Sequence, residues 1–319
     1  MERTDDEPLF VHRNECPACG ARADTPIYTR AFDDDRMRAY MDAAYYGYVD
    51  YAYLERERFE LVECGTCGLI FQAHVLGESL AKLLYDVWID PDLARQWREE
   101  DKSTAKPDSG GCALLLSALR LLSVGKDRPI KVLDYGAGFG DLAVLAMALG
   151  FDVTALEFAD DRVAELRSRG ICTVKSLDAL DQEFDLVVLS SVLEHLSAPL
   201  QCLSSVRDSM HGDGIIFIDV PDCRHLKGRV PTFDRLSIPE FKAAMLQCSA
   251  LQHVNSFNHK SLAALLSRAG LEIVGRPLLA VGQPTDPRGL VKQTLRPWYH
   301  WARSKVAPGT TVFARAPRL

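Results

Sequence analysis

The sequence lacks any apolar run of about 18 residues or more, the length that a membrane-spanning helix requires. Its N-terminal residues, MERTDDEPLF, are acidic and contain no apolar signal segment. We therefore expect a cytoplasmic protein without a membrane span. Lysine is absent from residues 1–60, which hold 14 Asp and Glu against 8 Arg, and acids are absent from residue 288 onward. The N-terminal part is thus acidic and the C-terminal part basic.

The nine cysteines are an odd number, and nothing in the sequence indicates an oxidising compartment, so we do not expect a disulfide framework. Two C-x-x-C-G turns, CPACG and CGTCG, each offer two thiolates to one side of a tetrahedral ion. The 44 residues between them do not prevent the turns from meeting, because loop closure costs little with length. The sequence predicts a structural Zn²⁺ held by Cys16, Cys19, Cys64 and Cys67. A redox C-x-x-C is the alternative.

A glycine-rich turn follows the apolar run KVLD near the middle of the chain. The run ends at Asp134, passes through Gly136, Gly138 and Gly140, and then opens into a predicted helix that ends at Gly150. Glycines allow positive φ and a close approach of the backbone to a ligand. This pattern predicts a nucleotide-binding turn, although glycine triplets also occur in tight turns that bind nothing.

Apolar runs and helical patterns alternate from residue 112 to residue 319. The runs are continuously apolar, as is typical of parallel strands covered on both faces. We predict an α/β fold with a doubly wound, Rossmann-like sheet over 112–319, where ligands bind outside the carboxyl ends of the strands. Residues 1–98 are predicted to form a zinc-binding module with a helical extension. The polar segment 99–111 is the predicted linker.

The pattern Asp134-x-Gly136-x-Gly138-x-Gly140 resembles motif I of the class I S-adenosylmethionine-dependent methyltransferases. Glu157 lies 23 residues after Asp134, where a dinucleotide fold places the acid that accepts hydrogen bonds from ribose hydroxyls, and it resembles motif II. The resemblance implies S-adenosylmethionine as the cofactor, with its methionine part at the turn. The further cofactor-binding positions that it implies are Tyr135, Phe158 against the adenine, and Ser176 and Leu177 at the adenine edge.

The segment FDLVVLSSVLEHL, residues 184–196, resembles motif IV and the Glu-His that follows it in a group that includes ubiquinone O-methyltransferases and zinc-containing sugar C-methyltransferases. The resemblance implies that Ser190 or Ser191 lies under the cofactor and that His195 faces the transfer site. A single histidine after a strand is otherwise often structural.

A third match is QHVNSF, residues 252–257, which is similar to a segment that supplies acid-base residues in the zinc-containing sugar C-methyltransferases. His253 falls on that family's histidine. Gln252 stands in place of its glutamate and Ala250 in place of its tyrosine, so the machinery for C-methylation is incomplete. Tyr85 and Trp88 match the aromatic pair that this family uses over the methionine end of the cofactor.

Methyl transfer needs mainly alignment, with a base only where the nucleophile carries a proton. His253 and His195 are the candidate base and orienting residue, since a histidine pKa near 6.5 suits proton transfer at neutral pH. We expect transfer to a small-molecule acceptor, a sugar or another secondary-metabolite intermediate. One alternative is a zinc-module RNA methyltransferase. The acidic charge of the module argues against it, because binding to RNA phosphates needs a cationic surface. The other alternative is a non-catalytic binding protein with a methyltransferase fold. The intact motif I argues against it.

Two segments leave alternatives open. The tyrosine-rich residues 32–61 either pack the insertion between the cysteine turns or line an acceptor pocket. The basic residues 288–305, within 283–309, either cover a sheet edge as an amphipathic helix or close over an acidic acceptor such as a nucleotide sugar.

Overall fold

The computed structural model describes residues 8–23, 25–89, 109–122, 128–180, 183–275 and 310–317. Two compact units divide the chain. Unit 1 contains the described residues before 104 together with 193–199 and 221–265, and unit 2 contains the others. The basic segment 288–305 and residues 99–108 of the predicted linker lie outside the described residues.

The secondary structure follows the predicted alternation in the second half of the chain and adds strands in the first half. The strands, numbered in chain order, are β1 (Phe10–His12), β2 (Pro26–Ala31), β3 (Arg58–Glu63), β4 (Ile70–Gln72), β5 (His74–Leu76), β6 (Lys131–Tyr135), β7 (Asp152–Leu156), β8 (Cys172–Val174), β9 (Phe184–Ser190), β10 (Met210–Asp219), β11 (Asn255–Ser256), β12 (Glu272–Gly275) and β13 (Val312–Arg315). The α-helices are α1 (Asp35–Tyr45), α2 (Glu78–Leu83), α3 (Ser109–Leu121), α4 (Asp141–Ala148), α5 (Asp160–Ser168), α6 (Pro199–Asp208), α7 (Leu226–Arg229), α8 (Ile238–Met245) and α9 (His259–Arg268).

Unit 2 is built on a seven-stranded sheet in the order β12-β13-β10-β9-β6-β7-β8. The first strand of this sheet in chain order is β6, in its interior. The chain then passes through β7 to the edge strand β8, returns to β9 on the other side of β6, and continues toward the β12 edge. The order therefore reverses between β6 and β9, and ligands in such sheets bind outside the carboxyl ends of the strands at this reversal. The predicted α/β fold is confirmed.

The sheet is mixed, and the sequence analysis assigned no direction to the strands at one edge. Strands β6 to β10 pair in parallel, whereas β13 pairs antiparallel with both β10 and β12. An apolar run that is buried on both faces looks the same whichever way the strand points, so the sequence pattern could not reveal this direction.

The core of unit 2 forms where the apolar runs of the sheet meet its helices. Leu186, Val188 and Ile215 are fully buried in a cluster that also includes Leu115 of α3 and Ala143 of α4. Among the described residues, no helix combines the length and the apolar character that crossing a membrane would require.

Unit 1 has a four-stranded antiparallel sheet in the order β11-β4-β3-β2 and a two-stranded ribbon of β1 and β5. Strand β11 reaches this sheet from the second half of the chain, with Asn255 opposite Phe71 and Ser256 opposite Ile70. The prediction of a helical extension is therefore incomplete, because α1 and α2 accompany a sheet and a ribbon. The three-residue strands β4 and β5, one in each, are too short to show a period in the sequence.

The tyrosine-rich segment supplies much of the core of unit 1. Tyr40 and Tyr45 are buried, and the ring centroid of Tyr40 lies 5.3 Å from that of Phe241. Their hydroxyls flank the backbone of Ala250, whose N–H donates to Tyr40 and whose carbonyl accepts from Tyr45. These two rings thus follow the packing alternative, since both of their polar ends are also satisfied within unit 1.

Candidate active site and metal centre

The glycine turn of unit 2 begins where β6 ends. Gly136, Gly138 and Gly140 have φ values of +70°, +56° and +78°, which β-carbon-bearing residues rarely adopt. The N–H groups of Gly136 and Ala137 both donate to the carbonyl of Leu156, at 2.8 and 3.2 Å. The turn is therefore fastened to the end of the neighbouring strand β7.

Gly140 is also sterically confined, which gives a prediction about stability. A Cβ there would lie 2.4 Å from Cδ2 of the buried Leu166 and 3.0 Å from Cδ1 of Ile171. Gly150 has a similar φ of +83° with open space around it, so it is a matched control. We expect Gly150→Ala to lose about 1–2 kcal/mol of unfolding free energy through backbone strain alone. Gly140→Ala should lose about 1–3 kcal/mol more through overpacking, as measured by denaturant unfolding, and equal losses would contradict the steric argument.

Glu157 is brought against the glycine turn, although it lies 19 residues beyond it. The N–H of Gly138 donates to Oε2 of Glu157 at 2.8 Å, and the N–H groups of Phe158 and Ala159 donate to Oε1 at 2.8 and 3.2 Å. A carboxylate has about four lone-pair sites, so acceptor capacity for ligand hydroxyls remains. The predicted motif I and motif II residues thus form one connected site.

Asp134 lies in β6, which pairs with β7, and Glu157 directly follows the end of β7. Asp134 is buried, and burial together with the nearby Glu157 carboxylate raises the pKa of its side chain to about 7. Two buried carboxyls so close together favour a bound cation or hydrogen-bond donors, because these would offset the repulsion.

The remaining residues predicted to bind the cofactor lie around these strand ends with different exposure. The Phe158 side chain is 54% exposed, and its ring centroid lies 6.2 Å from that of the buried Tyr135. An apolar ring left this open is suited to stacking against a ligand. Ser176, Ser190 and Ser191 are exposed and Leu177 is half-buried. Their contacts with a cofactor stay predictions.

A cluster of titratable side chains forms in unit 1 around the two predicted histidines. The ring centroids of His195 and His253 lie 4.7 Å apart at an interplanar angle of 76°. The Tyr85 hydroxyl lies 3.2 Å from Nδ1 of His195, and Oε1 of Glu194 lies 3.9 Å from its Nε2. When Tyr85 donates to Nδ1, a neutral His195 carries its proton on Nε2. The structure thus brings together Tyr85, His195 and His253 and adds Glu194, which the sequence analysis did not single out as a site residue.

His253 is held with one ring nitrogen uncommitted. A hydrogen bond with the Leu246 backbone engages the ring, whereas the buried Nδ1 has no hydrogen-bond partner among the described residues. Burial lowers the pKa of His253 below its ordinary 6.5, and the Leu246 contact offsets this only in part. The imidazole is therefore neutral at neutral pH and can accept a proton.

Three polar side chains outside the sequence prediction assemble this cluster. Asn255 donates to the carbonyls of Leu193 and Leu196 at 2.9 and 2.7 Å, which fixes the loop that carries His195. Gln72 donates to the carbonyl of His253 at 3.0 Å. Arg13 links the two segments, since it donates to Oδ1 of Asn255 at 2.9 Å and to the carbonyls of Gln72, Ser197 and Val254.

The two aromatic residues predicted near the cofactor, Tyr85 and Trp88, lie in different surroundings. Tyr85 reaches the histidine cluster, whereas Trp88 is 2% exposed and its ring centroid lies 6.1 Å from that of Tyr53 in the core of unit 1. The contact of Trp88 with a cofactor stays a prediction. Gln252 and Ala250, which replace acid-base residues of the resembled family, present no ionisable group.

The four predicted metal-binding cysteines come together in unit 1 through two similar turns. The N–H of Gly20 donates to the Cys16 carbonyl and that of Gly68 to the Cys64 carbonyl, each at 2.8 Å, with φ values of +75° and +74°. The Sγ atoms of Cys16 and Cys67, and those of Cys19 and Cys64, are 3.5 Å apart. All four sulfurs lie within 4.8 Å of one another.

This sulfur cluster fits a zinc ion. Four Zn–S bonds of about 2.3 Å in a tetrahedron place the sulfurs about 3.8 Å apart, close to the observed separations. The Cys67 thiol donates to Cys16, which lowers the pKa of Cys16. The redox alternative needs only one C-x-x-C, so it leaves the convergence of two turns unexplained.

The comparison with protein families finds one match that covers half of the chain. A family model described as a methyltransferase domain matches residues 111–275. A curated relative, the ubiquinone biosynthesis O-methyltransferase of Glaesserella parasuis serovar 5 (strain SH0165), is 32% identical over an alignment of 103 residues that covers 28% of this chain. The match spans 44% of that relative's length, so less than half of it is represented.

Solved structures of methyltransferases also resemble the chain at low identity. The plantazolicin methyltransferase BamL, solved in complex with a triazolic desmethylPZN analog and SAH, is 14% identical with a TM-score of 0.46, covering 73% of this chain and 92% of that chain. The glycopeptide N-methyltransferase MtfA, solved with S-adenosyl-L-methionine, is 17% identical with a TM-score of 0.41, covering 67% and 90%.

Proposed function

The chain belongs to the methyltransferase-domain family, among the class I enzymes that depend on S-adenosylmethionine, and we propose that it methylates a small-molecule acceptor. The observation that carries the proposal is the 2.8 Å hydrogen bond from the Gly138 N–H to the Glu157 carboxylate. This hydrogen bond joins the glycine turn, which a ligand can approach closely, to a buried acid at the end of the adjacent strand. This is the pairing that a nucleoside with a ribose and a charged tail requires.

Each part of the unit 2 site has a role in this proposal. S-adenosylmethionine supplies an electrophilic methyl group on a sulfonium. Glu157 accepts hydrogen bonds from the ribose hydroxyls, and the turn from Gly136 to Gly140 binds the methionine part. Phe158 stacks against the adenine, with Ser176 and Leu177 at its edge and Ser190 or Ser191 under the cofactor. These residues orient the methyl group for in-line displacement, which is the main requirement of the reaction.

In unit 1, we assign the base to His253 and the orientation of the acceptor to His195. The support for this assignment is the lowered pKa of His253 and its unpartnered Nδ1, together with the contact of His195 with Tyr85. The cysteine cluster holds a structural Zn²⁺, which would stabilise unit 1 and take no part in the chemistry.

The proposed acceptor is a sugar or another secondary-metabolite intermediate. The similarity of residues 252–257 to the zinc-containing sugar C-methyltransferases supports a sugar, whereas Gln252 and Ala250 argue against that family's full acid-base set. A panel of free and nucleotide-linked sugars and of phenolic acceptors can be incubated with S-adenosylmethionine. The proposal predicts S-adenosylhomocysteine release coupled to a mass increase of one methyl group in a small molecule, and it fails if methyl groups appear only in RNA.

The role of Glu157 gives a prediction about cofactor affinity. Glu157→Ala should weaken S-adenosylmethionine binding by about 1.5–3 kcal/mol, because charge-assisted hydrogen bonds to the ribose are lost. In calorimetry this corresponds to a rise of about ten- to a hundredfold in Kd. Asp152→Ala, an exposed acid at the start of the same strand, is the matched control and should leave Kd unchanged.

Loss of the Glu157 carboxylate also frees the N–H groups of the turn, so the ribose contact needs its own test. An S-adenosylhomocysteine analogue without ribose hydroxyls should bind the native chain less tightly than S-adenosylhomocysteine itself. In Glu157→Ala that difference should shrink to within about twofold, because the acceptor is gone. An undiminished difference would show that the ribose lies elsewhere.

A further inference from the structure

A second group of metal-ligating side chains lies in unit 1, besides the four cysteines. Strands β1 and β5 pair antiparallel with His12 directly opposite His74. Directly opposite residues project from the same face of a ribbon, and the two imidazole centroids are 4.3 Å apart at an angle of 71°. The β1–β5 register therefore presents two imidazoles side by side.

Glu57, just before β3, completes the group. Its Oε2 lies 2.9 Å from Nδ1 of His74 and its Oε1 lies 3.7 Å from Nε2 of His12. One ligand atom from each of the three residues can be chosen so that all lie within 4.8 Å of one another. Bonds of about 2.0–2.1 Å in a tetrahedral zinc site separate the ligand atoms by about 3.3 Å. The observed 2.9 and 3.7 Å distances, one to each oxygen of the Glu57 carboxylate, fall on either side of this value.

The backbone and a fourth side chain hold the arrangement. Oε1 of Glu60 lies 3.9 Å from Nε2 of His74, on the ring nitrogen that does not face Glu57. A carboxylate in this place typically orients a metal-bound histidine and raises its basicity. The Ala73 N–H donates to the Glu60 carbonyl at 2.9 Å, and the Arg13 N–H donates to the Ala73 carbonyl at 2.7 Å. These bonds tie β1, β3 and β5 together at the three ligands.

We propose that His12, Glu57 and His74 bind a divalent transition metal of the Zn²⁺ class, with Glu60 as a positioning residue. Two imidazoles and one carboxylate are a donor set for Zn²⁺ and its first-row neighbours rather than for Mg²⁺ or Ca²⁺. The side chains run from 61% exposed at His12 to 7% at His74, so one side of the ion faces solvent and keeps a coordination position open. The ion would fasten β1 to the start of β3.

The test uses the full chain without an affinity tag, with its cysteine cluster already loaded with zinc. Calorimetric titration with Zn²⁺ should show one further equivalent, and His12→Ala and Glu57→Gln should each weaken it by at least about tenfold. His12 is exposed, so its replacement should leave the fold intact, which circular dichroism checks. His211→Ala removes a histidine paired with Glu183 at 2.7 Å, outside this cluster, and should leave the second equivalent unchanged.

Cobalt separates this site from the cysteines. Co²⁺ added as the second equivalent should produce ligand-field absorption without the thiolate-to-cobalt charge-transfer band that a cysteine site gives. The band pattern should disappear in His12→Ala and persist in His211→Ala. The proposal is overturned by the absence of a second equivalent, by a charge-transfer band with that equivalent, or by equal affinity in His12→Ala and the native chain.

Discussion

Replacing both Cys16 and Cys64 by serine should abolish zinc binding at the cysteine cluster and unfold unit 1. The two substitutions together remove one thiolate from each turn, and structural zinc sites contribute apparent binding free energies of about 10–16 kcal/mol. That exceeds or equals the whole stability of a typical domain, about 5–15 kcal/mol. Metal analysis should give about one zinc less per chain than in the native protein, and near-ultraviolet circular dichroism should lose the signal of the buried tyrosines.

The control for this prediction is Cys172→Ser, which replaces an exposed cysteine outside the cluster. It should retain the zinc and the melting temperature of the native chain. Chelator treatment of the native chain should reproduce the effect of the double variant, because the same ion is removed. A double variant that stays soluble, lacks that zinc and melts at the native temperature would show that the cysteine cluster needs no metal.

Replacing His253 by alanine should lower turnover by about a hundredfold or more, while S-adenosylmethionine affinity stays within a few-fold. The reason is that general-base contributions are about 10²–10⁴-fold, and the residue is assigned to the acceptor's proton rather than to the cofactor. His195→Ala should raise the KM of the acceptor more than it lowers kcat. His225→Ala, an exposed histidine outside the cluster, should match the native enzyme.

The results also discriminate between mechanisms. If the two histidine variants show the opposite pattern, the roles of His253 and His195 are exchanged. If both retain near-native turnover, transfer relies on alignment alone and the nucleophile reaches the site already deprotonated. The assay requires an acceptor found in the panel described above.

The pH dependence of kcat follows from the direction of the His253 shift. Because burial lowers the pKa of His253, the neutral base persists below pH 6.5, where an ordinary histidine is already half protonated. Turnover should therefore stay level through pH 6.5 and fall only as the pH drops through the lowered pKa. The pKa of His253 can also be measured without an acceptor, by following the chemical shift of the imidazole C2 proton with pH. A midpoint at or above 6.5 would contradict the assignment.

The sequence by itself determined the features that are local in the chain. The glycine turn requires positive φ within a few residues, and each cysteine turn is closed by its own glycine, so both could be recognised from spacing. The alternation of apolar runs and helices likewise predicted the α/β fold of unit 2. The place of Glu157 followed from the regular distance between successive strand ends.

Only the tertiary structure decided how distant segments combine. Strand β11 joins the N-terminal sheet although it lies in the second half of the chain, because a two-residue strand has no detectable period. The sequence could not reveal the direction of β13, because a strand that is apolar on both faces has the same pattern in either direction. Arg13, Gln72 and Asn255 assemble the histidine cluster through hydrogen bonds to backbone carbonyls. Such bonds depend on where a carbonyl lies in space, and no residue pattern records that position.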